Sequence, residues 1–298
     1  EQTTSLFEIW TNERITRTIQ GVEKKISASM QQHRDDFGID HRLISAFTRT
    51  GLWDHDPAVH LNIHSSHQII AVISGMILIE DGKEKRPLYR KMAAFIPGGK
   101  PHRATTLQES IGVLCHSLFI NPALIPWADD RIHLFETSEL CQALLKKMNE
   151  HNLEDISGGI MGSCLNLFLT LLPSELANHA DKIRLPEAKS ERNRRIVGFL
   201  QANYMNKIRL VHLTRATALS VRQICRCFKA EMRMSVMEYL RLLRLLHASH
   251  HLFDQQKKVI DVAYDCGYDS VSTFYQEFKR YFGLSPNQFR DRTVGEPV

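Results

Sequence analysis

Apolar positions come in short runs up to about residue 120 of this chain, and recur at three- and four-residue spacing beyond it. The early runs cover 43–48, 69–80, 85–89, 92–96 and 111–120 and are separated by turn residues, which predicts strands. Asp81-Gly82, between two of them, predicts a type I′ hairpin. So many short strands within about 80 residues predict a small antiparallel barrel or jelly roll. At Asn121-Pro122 the β texture stops. Thr137 or Ser138 caps a predicted helix on which Leu140, Cys141, Leu144, Leu145 and Met148 form one stripe. A second helix starts near Ile160, carries Leu165, Leu169 and Leu172, and ends before Pro173. The polar, proline-containing stretch up to Ser190 predicts a linker.

Helical spacing resumes at Glu191 with Ile196, Phe199, Leu200 and Tyr204. Leu210 to Ala218 and a helix capped by Ser220 follow. On the second of these Val221, Ile224 and Phe228 form the apolar side, while Arg222, Gln223, Arg226 and Lys229 lie opposite. Ser235 to Phe253 predicts one long helix. Beyond it the arrangement repeats in sharper form. Ile260, Val262 and Ala263 supply the apolar side of a short helix, Gly267 takes the positive φ that ends it, and Ser270 caps the next. There Phe274, Phe278 and Phe282 recur every four residues, leaving Ser272, Thr273, Gln276, Lys279 and Arg280 on other faces. Gly283 closes that helix and Ser285-Pro286 opens a last short one.

From Val262 to Arg290 the residues read V-A-x-x-x-G-Y-x-S-x-x-x-F-x-x-x-F-K-R-x-F-G-x-S-P-x-x-F-R, which resembles the C-terminal signature of the AraC/XylS transcription regulators. The earlier copy is a weaker match: Ala218 and Arg233 stand where glycine is usual, and Val236 replaces a proline. The resemblance implies two helix-turn-helix units within residues 191–293, joined by the long helix and binding double-stranded DNA. Arg222, Gln223 and Arg226, with Ser272, Thr273 and Gln276, are the candidates for reading base edges. Lys229, Lys279 and Arg280 suit phosphate. It further implies a homodimer formed through the helices after residue 121, RNA polymerase as a partner, and activation as the commoner outcome.

Charge is divided in the way such a reading requires. From residue 190 onward there are 18 Lys and Arg against 10 Asp and Glu, whereas the preceding residues hold 20 against 23. A basic last third suits a polyanion. The six cysteines show no C-x-x-C spacing, which favours reduced, mostly buried thiols over disulfides or a zinc site. No apolar run reaches the 18 or so residues of a membrane span and the first twenty residues lack a secretory core, so no membrane partner and a cytoplasmic location are expected.

The strand-rich part holds a second candidate site. Ile73-Ser74-Gly75 and Pro97-Gly98-Gly99-Lys100-Pro101-His102 resemble the two half-motifs of a cupin. Counting back from Gly75 puts Gln68, His64 and Asn62 where metal-binding cupins carry Glu, His and His, so His64 and His102 alone match. Two imidazoles with neutral amides make a poor divalent-metal site. A pocket for a small-molecule effector around His64, Gln68 and His102 is therefore expected, with no cofactor and no enzymatic activity. His55, His60, His64 and His67 keep a metal-sensing alternative open, with His60, His64 and His102 as its ligands. A metal-dependent cupin enzyme fused to a DNA-binding domain is the further alternative. The expected fold is α+β and multidomain: a cupin-like β-barrel sensing domain over 1–120, a helical region over 121–175, a linker over 176–190, and an all-α domain with two helix-turn-helix units over 191–293.

Overall fold

A computed structural model of the chain describes residues 46–53, 62–107, 113–150, 156, 158–178 and 183–293. Its strands are β1 (Ala46–Trp53), β2 (His67–Ser74), β3 (Met76–Glu80), β4 (Glu84–Tyr89), β5 (Met92–Ile96), β6 (Arg103–Thr105), β7 (Val113–Ile120), β8 (His133–Glu136) and β9 (Leu185–Pro186). The described strands make two separate antiparallel sheets, in the orders β1-β7-β2-β5-β8 and β6-β3-β4-β9. The expected barrel does not close among the described residues. The sheets instead pack face to face, with Ile70, Val72, Cys115 and Leu134 of the first meeting Ile77, Ile79, Leu88 and Ala104 of the second.

Several boundaries differ from the sequence reading for local reasons. The run 69–80 is two strands, because Gly75 turns the chain at φ +82. A side chain there would also press on Val113, 2.9 Å from the position of a Cβ. The β3–β4 turn is not type I′, since Gly82 alone takes a positive φ and the Asp81 carboxylate accepts the Lys83 and Glu84 N–H groups. The β texture does not stop at residue 121, as β8 pairs with β5. Nor is the linker wholly irregular: Leu185 and Pro186 add a strand to the edge of β4.

Two helices cover the other face of the first sheet. Helix α1 (Glu139–Met148) is capped by the Ser138 hydroxyl, and α2 (Gly159–Leu176) runs through Pro173 rather than stopping before it. Cys141, Leu144, Leu145 and Met148 of α1 and Leu165, Phe168 and Leu172 of α2 pack on Ile69, Phe95, Leu118 and Phe135. Leu140 faces solvent instead of joining that stripe. By length and composition α2 is apolar enough to cross a membrane, contrary to the expectation from its apolar run, which uncharged Ser163, Asn166 and Thr170 interrupt. One face of it is nevertheless committed to the sheet.

The remaining helices are α3 (Glu191–Asn203), α4 (Leu210–Thr217), α5 (Val221–Met232), α6 (Val236–His251), α7 (Val259–Asp265), α8 (Val271–Phe282) and α9 (Pro286–Thr293). Helix α6 runs through the middle of their core, with Tyr239, Leu240, Leu243, Leu246 and Ala248 among its buried residues. The outer face of the second sheet adjoins this core. Leu78, Ile183 and Leu185 are part of it, and the Tyr89 ring lies 4.9 Å from that of Phe289 and 6.1 Å from that of Phe282. An ion pair of 2.8 Å between Arg292 and Glu136 lies at its edge. Burial, and then the Glu136 charge, push the Tyr89 hydroxyl up to about 12.

Candidate nucleic-acid interface

Two helix pairs, α4–α5 and α7–α8, are built alike. Helices α5 and α8 are each 12 residues long, each is capped by a serine hydroxyl (Ser220, Ser270), and each ends in a left-handed residue, Arg233 at φ 58 or Gly283 at φ 74. Their buried rows correspond: Ile224, Phe228 and Met232 in one, Phe274, Phe278 and Phe282 in the other. The turns before them differ by one residue, because the left-handed Ala218 lies two before Ser220 while Gly267 lies three before Ser270. Val221 and Ile260, expected inside, are among the exposed large apolar residues. Val221 is the first residue of α5, and Ile260 lies off the face on which Val259, Val262 and Ala263 are buried.

The residues expected to meet DNA, Arg222, Gln223, Arg226, Lys229, Ser272, Thr273, Gln276, Lys279 and Arg280, are all exposed on α5 and α8. On α5, Arg222, Arg226 and Lys229 line an open concavity of about 690 Å³ together with Cys225, Ala230 and Arg233. Arg233 departs from the usual glycine, but the spacing 222, 226, 229, 233 is a helical stripe that marks it as part of this row. Gln223 is differently placed from its neighbours. Its side-chain oxygen accepts the Ser220 backbone N–H at 2.9 Å while the Ser220 hydroxyl accepts the Gln223 N–H, a capping box. The Ser220-x-x-Gln223 spacing was the sequence signal for that role. Helix α5 thus offers a row of cations, and the first turns of α8 offer neutral Ser272, Thr273 and Gln276.

The structure also gathers His64, Gln68 and His102 at one place between the sheets. The His64 and His102 rings meet edge to face at 5.1 Å, and the His64 ring meets Phe119 at 5.3 Å. His64 bonds through Nδ1 to the Ser66 carbonyl (2.7 Å) and through Nε2 to the Gln68 side chain (3.1 Å). Gln68 in turn donates to the Ser117 hydroxyl at 3.1 Å, a residue outside both half-motifs. Both ring nitrogens of His64 are therefore engaged by the protein, and His102 Nδ1 donates to the Lys100 carbonyl. No group of three His, Cys, Asp or Glu residues among the described residues could hold a metal ion. His55 and His60 lie outside the described residues.

The comparisons with known proteins bear on the helical part. The helix-turn-helix domain family matches residues 213–292. The transcriptional activator RhaS of Mannheimia succiniciproducens is 28% identical over 155 residues, 52% of this chain and 56% of that protein. The melibiose operon regulatory protein of Escherichia coli K12 is 28% identical over 95 residues, 32% of each chain. The chain spans between about a third and somewhat over half the length of these relatives. Residues 213–292, running from α4 into α9, are thus a helix-turn-helix domain. Among solved structures, that of a probable AraC family regulator from Rhodopseudomonas palustris is 27% identical, with a TM-score of 0.34, and covers 36% of this chain and all of that one.

Within this helix-turn-helix domain, Arg233 carries both strain and charge. A non-glycine residue held at φ 58 is disfavoured by about 1 kcal/mol. Arg233→Gly is expected to raise stability by about 0.5–1 kcal/mol in denaturant titration. The same change removes a cation from the concavity, so DNA affinity should fall and its salt dependence should become shallower by about one unit of slope.

Buried imidazoles set an acid limit on the fold. Burial, helped by the nearby His64 charge, holds His102 down at about 4, and burial with His251 and Lys257 holds His250 at about 4. Both must stay neutral in the folded protein but are free to protonate near 6.5 when it unfolds. Between 6.5 and 4 the unfolded state binds more protons, so their contribution is complete above 6.5 and is lost as the pH falls to 4. Melting temperature should therefore drop across that window, and His250→Gln should flatten part of the drop.

Proposed function

We propose that the chain is a sequence-specific, DNA-binding transcription regulator in which both helix pairs act as helix-turn-helix reading heads. The observation that carries this is the matched construction of α5 and α8, each with one row in the core and one polar row exposed, inside the stretch that matches the helix-turn-helix domain family. Arg222 and Arg226, one turn apart, are the base readers of the first head, since arginine pairs bidentately with guanine. Ser272, Thr273 and Gln276 read in the second, while Lys229, Arg233, Lys279 and Arg280 bind phosphate. Gln223 has its oxygen in the cap, which leaves its amide N–H groups for DNA.

The strand-rich part is the sensing domain in this reading, cupin-like in its motifs. The buried group of His64, Gln68, Ser117 and His102 is its effector site, where a small molecule able to replace the hydrogen bonds of His64 would enter. Dimerisation through α1 and α2 is supported by the exposed Leu140, Ile160 and Leu167. Activation is supported by the activator role of the RhaS relative, and a cytoplasmic location with RNA polymerase as partner follows from the same reading.

The deciding experiment is selection of bound duplexes from a randomised pool at fixed salt. Two short blocks about one helical turn apart are expected, and one block alone would remove the first head from base reading. With such a site in hand, Arg226→Ala should cost about 1–3 kcal/mol and relax preference at one base pair. A uniform loss across all sequences would make Arg226 a phosphate ligand.

A further inference from the structure

The two helix pairs are bound to each other by contacts that neither pair needs for its own cap or core. Arg244, in the middle of α6, donates from Nε to the Tyr204 carbonyl (2.9 Å) and from Nη2 to the Asn206 carbonyl (2.9 Å), at the junction between α3 and α4. The same guanidinium also lies against the turn of the second pair. It lies 6.0 Å from the Tyr268 ring centroid, and its Nη2 is 2.8 Å from where a Cβ on Gly267 would stand. Tyr268 donates its hydroxyl to Glu277 at 3.0 Å, and the other oxygen of Glu277 pairs with Arg241 at 2.8 Å, one turn before Arg244 on α6. The His247 ring stacks on Tyr204 at 3.9 Å, closing the bracket on the first side.

We propose that Arg244 is a positioning residue for DNA reading: with Arg241 and Glu277 it fixes the distance and rotational phase between α5 and α8, and so the spacing of the two DNA blocks the chain accepts. This rests on the two-head reading above. The physical argument is one of geometry. A planar guanidinium bonded to two carbonyls of one loop, while held against the opposite turn, restrains translation and rotation together, which a single ammonium donor cannot do. One base pair added between blocks moves the second by about 3.4 Å and rotates it by about a tenth of a turn. A rigid pair of heads rejects such a site, and a loosened pair tolerates it.

The test uses the full chain and a two-block duplex taken from the randomised pool, together with versions carrying one base pair more or fewer between blocks. The wild type is expected to prefer the selected spacing. Arg244→Lys and Arg241→Ala are expected to lower that preference by about three- to thirtyfold, while binding to each isolated block is unchanged. Reversing the outer pair, Arg241→Glu with Glu277→Arg, should restore part of it. A wild type that selects no two-block DNA overturns the two-head reading itself. If the wild type discriminates spacing and the folded variants discriminate equally, that reading stands and the role of Arg244 falls. Thermal unfolding of each variant identifies the folded ones, and if Arg244→Lys does not fold, Arg241→Ala and the reversed pair decide.

Discussion

Phe278→Ala is expected to destabilise the helical domain by about 3–5 kcal/mol, the usual cost of removing a fully buried phenyl ring. The ring is completely inaccessible and sits at the centre of an aromatic group. It stacks on Phe282 at 4.3 Å and meets Phe274 and Phe289 edge to face at 5.5 and 5.3 Å. Those neighbours come from the same helix and from α9, and Phe282 and Phe289 also touch Tyr89 of the second sheet. The loss should therefore appear in the helical domain first and weaken its seat on the sheet. A fall in the thermal midpoint, with DNA binding reduced in proportion to the unfolded fraction, is the expected result. Ile260→Ala, at a position 49% exposed, should stay within about 0.5 kcal/mol. A Phe278 variant that unfolds like wild type would mean that the core face of α8 had been misassigned.

That contrast also marks what was legible in the sequence. Caps, left-handed ends and the phenylalanine stripe are local signals, each confined to one helix or turn, and Ser220, Ser270, Gly267 and Gly283 stand where the residue types placed them. Ladder partners are not local. Strand β8 is four residues that become a strand by lying along β5, and β9 is a dipeptide recruited by the open edge of β4. Nothing in either stretch announces its partner. The sites divide in the same way. The exposed row of α5 follows from helical spacing, whereas the nearness of Ser117 to Gln68 depends on β7 pairing with β2. The Arg244 bonds to Tyr204 and Asn206, 40 and 38 residues away, were out of reach of any periodicity argument.

Gly267→Ala should be among the most costly single-methyl additions in the chain, by about 2–5 kcal/mol, because two independent penalties coincide there. Its backbone is left-handed at φ +79, which alone disfavours alanine by about 1–2 kcal/mol. The new Cβ would also lie 2.7 Å from the Tyr204 carbonyl oxygen, 2.9 Å from that of Met205 and 2.8 Å from Arg244 Nη2. Gly82 separates the two effects, since its φ is +76 but nothing lies within 4 Å of its Cβ position. Gly82→Ala should cost only the backbone share, and denaturant titration of the two variants measures the difference. Combining Gly267→Ala with Arg244→Ala removes the guanidinium contact but leaves both carbonyl contacts, so most of the excess should persist. If the double variant recovers Gly82-like behaviour, the turn yields and the guanidinium alone had resisted the methyl group. If it does not, the close approach of two backbones is what requires glycine, and Gly267 is there to let the junction between α3 and α4 come near the turn before α8.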